Sequence, residues 1–140
     1  MDDVSNQQHQ KLIFDTFHDL VRARLNAGCK HTIIDATNLV PMNRKALLEI
    51  AFKYGAQVYA YQFVAPKVIA LERNSYRKRQ VSPKVIERQF ENFQLPTLTE
   101  GFWQIVTIDS NGIEINRERI DEGTETDYRA CAEHMLALKR

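Results

Sequence analysis

Glycine is scarce in this chain, and its five glycines all stand alone, at Gly28, Gly55, Gly101, Gly112 and Gly123. No G-x-x-x-x-G-K-[ST] run occurs in the 140 residues. They therefore contain no glycine-rich backbone nest, with its lysine, to cradle a β-phosphate. Cysteine is scarcer still. Cys29 and Cys131 form no C-x-x-C pair, which leaves metal spacing unsupported and makes a reduced, cytoplasmic protein the simplest expectation. The histidines His9, His18, His31 and His134 have no ligand spacing, and no serine or cysteine sits in a nucleophile elbow. No apolar run approaches the ~20 residues of a membrane-spanning helix. The opening "MDDVSNQQHQ" is polar and acidic, without the apolar stretch expected of a signal peptide. Net charge is only +1, so an anion site has to come from local clustering and not from a polycationic whole.

What is present reads as one α/β domain spanning 1–140. A composition of 44% hydrophobic and 26% charged residues argues against disorder. Apolar spacing predicts a helix over 8–26, with Ile13, Phe17, Leu20 and Leu25 inward and Gly28 as its stop. Residues 31–35 read as a short buried strand. Pro41 opens a second helix, with Leu47, Ile50, Ala51 and Tyr54 as its buried stripe and Gly55 at its end. "QVYAYQFV", 57–64, reads as a strand whose aromatics Tyr59, Tyr61 and Phe63 are core or sheet-face residues. Pro66 starts a third helix reaching about Tyr76. Ser82-Pro83 caps a fourth, with Ile86, Phe90 and Phe93 on one face. "FWQIVTI", 102–108, is a further strand, and Asn111-Gly112 turns the chain into a return strand through Ile113 and Ile115. A last helix is expected at 126–139, with Tyr128, Cys131, Met135 and Leu138 inward. Strands alternating with helices imply a mainly parallel sheet, here with an antiparallel edge hairpin.

Two stretches carry chemistry. In "HTIIDATNLVPMNR", 31–44, the apolar run ends in Asp35, Thr37 and Asn38. The carboxyl ends of strands are where open α/β sheets bind ligands. Asp35 there would hold Mg²⁺, usually through water, or orient a nucleophile. Thr37 and Asn38 would hydrogen-bond phosphates or simply cap the helix that follows. In "RNSYRKRQVSPKVIERQF", 73–90, the cations Arg73, Arg77, Lys78, Arg79, Lys84 and Arg88 face a single acid, Glu87. Arginine suits phosphate because its planar fork donates two hydrogen bonds and keeps its charge. A continuing helix would put Arg73 and Arg77 on one face. The alternative is a solvated basic face, the usual fate of a charge run.

The order "TIIDATNLVPMNRKALLEIAFKYGAQVYAYQF", "ALERNSYRKRQVSPKVIERQFENF", "LPTLTEGFWQIVTI" resembles the C-terminal part of the kinase domain of polynucleotide kinases and related P-loop kinases. The likeness spans roughly residues 5–108. It implies a partial P-loop kinase-like three-layer sandwich with a helical lid at about 66–93. It assigns Arg77 the catalytic role of stabilising the transferring phosphoryl group, and Arg73, Arg77, Arg79, Thr37 and Asn38 to ATP. Asp35 becomes the Mg²⁺ contact. The acceptor would be a 5′-hydroxyl of RNA or DNA. Members of that family open with a strand, a P-loop and a helix, then a second strand carrying the general base, a segment that would precede Met1. The expectation is therefore a chain inactive alone, a homo-oligomer or one complemented by a partner supplying the P-loop half. The other reading is a non-catalytic module that binds a nucleotide, a nucleic acid or a protein.

Overall fold

The computed structural model describes residues 7–120; the helix expected at 126–139 lies outside them. Two helices come first, α1 (Gln7–Asn26) and α2 (Pro41–Lys53). Both end as the isolated glycines suggest. The N–H of Cys29 donates to the Arg24 carbonyl (3.1 Å) and that of Gly28 to Leu25 (3.0 Å). After α2, Ala56 donates to Ala51 (2.9 Å) and Gly55 to Phe52 (3.0 Å). These are Schellman closures, with Gly28 at φ 72° and Gly55 at φ 64°, a region a side chain disfavours.

β1 (Tyr59–Phe63) follows, then α3 (Lys67–Ser75), α4 (Pro83–Asn92), a 3₁₀ turn at Leu98–Glu100, β2 (Gln104–Ile108) and β3 (Glu114–Arg119). The described residues thus form a mixed α/β fold around a three-stranded sheet of order β1-β2-β3. β1 runs parallel to β2, with Tyr61 opposite Val106. β3 returns antiparallel, with a register irregularity at Thr107/Ile108. The parallel pair with an antiparallel edge hairpin is the arrangement expected from the element order.

The core is small. Leu48 of α2, Phe102 and Ile105 form its centre, and Phe52, Val58, Ala60 and Leu98 pack against them. The backbone of Gly101, at φ 106°, lies against the ring of Phe52, where any Cβ would collide. On α2 the buried positions are Arg44, Leu48, Ile50 and Ala51; Leu47 is half-buried and Tyr54 exposed. α1 departs further from its expected stripe. Val21 is buried, whereas Ile13 and Leu20 are 65% and 60% exposed. Its principal neighbour is α2, and one helix covers only part of an apolar face. The expected strand at 31–35 is absent: the segment carries no strand pairing, and Ile33 is 93% exposed. An extended stretch becomes a strand only by exchanging backbone hydrogen bonds with a neighbour. None of the three described strands lies beside it, and β1 likewise has a strand on one side only.

Candidate phosphate-binding cleft

The segment 66–93, expected to be a lid, forms two helices and a tight loop. α3 ends at Ser75, short of Arg77, so the two arginines do not share a helical face as expected. A turn brings Arg77 back instead, its N–H donating to the Asn74 carbonyl (3.2 Å). Asn74, buried at 8% exposure, closes the loop. Its Nδ2 donates to the Val81 carbonyl (2.8 Å) and its Oδ1 accepts the Val81 N–H (2.9 Å). Gln80 adds a bond from Nε2 to the Ser75 carbonyl (2.8 Å). The side-chain amide reproduces a backbone pairing across six intervening residues, which fixes the loop bearing Arg77, Lys78 and Arg79. Sequence reasoning read the arginines of R-N-x-x-R and passed over the asparagine. The available signal was a short amide side chain at the end of a helix, where such groups bond local backbone.

Between α3 and α4 lies a cleft of about 290 Å³. Arg73, Asn74, Arg77 and Gln89 supply its polar lining, and Val81, Ile86 and Phe90 its apolar wall. No acidic residue lines it. Two guanidinium groups beside apolar walls, with no carboxylate to neutralise them, have the chemistry that an anion site requires. Arg79 is exposed and outside this lining, as are Lys78, Lys84 and Arg88. Ser82 makes no side-chain cap to α4; Pro83 occupies the first turn.

Arg73 also reaches the sheet. Its Nη2 donates to the Ser110 carbonyl (2.5 Å) in the turn between β2 and β3. Asp109 holds that turn, its Oδ1 accepting the N–H groups of Asn111 (2.8 Å) and Ile113 (2.9 Å). The Ile113 bond is the chief cause that keeps the Asp109 carboxyl below its ordinary range.

Asp35, Thr37 and Asn38 do not line the cleft. Asp35 and Thr37 are exposed on the loop before α2. Asn38 is half-buried and stands in the left-handed region at φ 41°, a conformation asparagine tolerates better than most residues. Among the described residues no group of three or more His, Cys, Asp or Glu side chains is placed to hold a metal. Mg²⁺ commonly takes one or two carboxylates and fills its shell with water and substrate phosphate. Asp35, exposed and outside any such group, fits that mode and no all-protein cage.

The residue that organises this region is Arg44, only 5% exposed. Its Nε and Nη2 grip Glu100 at 2.7 and 2.8 Å. Its Nη1 donates to the carbonyls of Asn38 (2.9 Å) and Gln94 (3.0 Å). Glu100 in turn accepts the Thr97 N–H at 3.1 Å. Cutting one partner from such a buried pair strands a charge, at a cost of about 3–5 kcal/mol. Sequence reasoning missed Arg44, although it falls in register with Leu48 and Ala51 on the buried side of α2.

A mixed α/β fold with a basic cleft between two helices and a parallel strand pair is consistent with a partial P-loop kinase-like fold. The chain belongs to the AAA domain family, whose model matches residues 2–96. This is a kinase-like family of P-loop NTPases, with nucleotide and Mg²⁺ binding as its general chemistry. No curated protein matches the chain. Among the described residues no helix is long and apolar enough to cross a membrane.

Proposed function

We propose that this chain is the lid-bearing C-terminal portion of an ATP-dependent polynucleotide 5′-hydroxyl kinase. The observation that carries the reading is the convergence of Arg73 and Arg77 on one cleft without an acid. Phosphoryl transfer depends on positioning and on neutralising charge that spreads over the phosphate oxygens. Arg77 has no side-chain hydrogen bond among the described residues, so its fork is available to the transferring phosphoryl group. Arg73 holds the phosphate chain beside it, and Arg79 meets phosphate from the loop. Asp35 would hold Mg²⁺, which would neutralise phosphate charge, while Thr37 and Asn38 would face phosphate or acceptor at the loop before α2. ATP supplies the phosphoryl group, and the acceptor is a 5′-hydroxyl of RNA or DNA.

The 140 residues include no glycine-rich phosphate loop, so the chain alone does not catalyse transfer. Radiolabelled γ-phosphate transfer to a 5′-hydroxyl oligonucleotide should stay at background with pure protein. Turnover that disappears in Arg77→Ala would refute the inactivity and strengthen the assignment of Arg77. A second reading has its own support in the sheet. Tyr59, Tyr61 and Phe63 are 46%, 61% and 72% exposed on an edge strand. A module that buries this face against a second copy, or against a chain supplying the P-loop half, accounts for an edge that would otherwise invite aggregation.

A further inference from the structure

We infer that Arg44 is a positioning residue that locks the Asp35–Asn38 loop to the exit of the lid and thereby sets the arginine cleft. The inference rests on the reading of that cleft as a phosphate site. Arg44 lies outside the cleft lining, so it acts through other residues and touches no ligand there. Four donor contacts leave one buried guanidinium for three separate places in the chain. Two go to the Glu100 carboxylate, one to the Asn38 carbonyl and one to the Gln94 carbonyl.

The two carbonyls belong to the two halves of the proposed site. Asn38 closes the loop that carries Asp35 and Thr37. Gln94 lies two residues beyond α4, the helix whose Gln89 and Phe90 line the cleft. The halves also meet directly, the Gln94 N–H donating to the Leu39 carbonyl at 2.9 Å. Gln94 is thus held at both its N–H and its C=O, and Arg44 supplies the second bond. Asn38, at φ 41°, offers its carbonyl to the guanidinium. Lysine retains the charge in this position but has no planar fork to reach a carboxylate and two carbonyls at once.

The test compares wild type, Arg44→Lys and Glu100→Gln. Two quantities are read: amide exchange residue by residue, and the affinity for tripolyphosphate at low salt. In Arg44→Lys, the Gln94 N–H keeps its Leu39 acceptor but loses the bond that holds its segment in place at the carbonyl, so local opening should let it exchange about tenfold faster. Amides within the β1–β2 pair should keep their rates. Tripolyphosphate affinity should fall about threefold to tenfold, although no cleft residue has changed. Glu100→Gln, which leaves both carbonyl bonds, should show the same pattern more weakly. Unchanged Gln94 exchange in Arg44→Lys overturns the lock. So does faster exchange spread evenly over the sheet, or failure of both variants to fold, since Arg44 is then a general stability residue. If wild type binds no tripolyphosphate, the phosphate reading of the cleft falls, and Gln94 exchange alone decides the lock.

Discussion

Asn74 and Asp109 hold turns with side-chain groups that take the place of backbone partners, and each yields a measurable consequence. Asn74 satisfies both the N–H and the C=O of Val81 from a buried position. Asn74→Ala removes donor and acceptor together and leaves the Val81 groups short of partners. Destabilisation of about 1–3 kcal/mol is expected in urea unfolding, with new protease sensitivity confined to 76–81. Asp109 works in the same way at the β2–β3 turn. Its carboxyl titrates below the ordinary range because it accepts the Ile113 and Asn111 N–H groups. A lowered folded-state pKa means that its contribution is fully present above the ordinary carboxylate range. The contribution is lost as pH falls through the folded value. Amide resonances of Asn111 and Ile113 should therefore shift together in acid, below the point at which a free aspartate titrates. Asp109→Asn should abolish that shift. Titration at the ordinary carboxylate pH would contradict the turn geometry.

At the scale of elements, legibility in the sequence followed how local the determining physics is. Helix ends were readable because Gly28 and Gly55 close Schellman motifs within a few residues. The β2–β3 hairpin was readable from Asn111-Gly112, and Gly112 stands at φ 82°. Residues 31–35 misled because their apolar, β-branched character describes a strand that has found a neighbour, and pairing is not local. The inward stripe of α1 failed for the same reason: periodicity names a face but not what covers it. In the candidate site, the cationic segment 73–90 stood out by charge alone. The supports did not. Arg44 and Asn74 are polar groups whose burial depends on partners that residue type does not reveal, the distant Gln94 carbonyl and Glu100 carboxylate for Arg44 and the Val81 backbone across a loop for Asn74. Arg77 reached the cleft through a turn, where helical spacing had suggested a continuous helix.

The molecule as a whole places a cationic cleft in a chain of net charge +1, together with an exposed aromatic strand, β1, that among the described residues is an edge of the sheet. That strand and the apolar side chains Leu12, Ile13, Phe14 and Leu20 of α1 are exposed, and apolar surface of this kind marks an interaction site where it is contiguous. Self-association or capture of a complementing chain is the expected result. Light scattering at high micromolar concentration should report a species larger than a monomer, and replacing Tyr61 and Phe63 with Ser should reduce it. A clean monomer that also binds no apolar dye would show that the face is covered within the chain itself. The central claim, that the lid cleft is a phosphate site, meets its most direct test in a calorimetric titration of tripolyphosphate. Wild type, Arg73→Ala and Arg77→Ala are compared at two salt concentrations. The account predicts weak binding by wild type that falls with salt, and losses of about 1–3 kcal/mol in each variant, the scale of a charge-assisted hydrogen bond. Equal binding by all three proteins, or none by wild type even at low salt, would contradict it and leave 73–90 a solvated basic face.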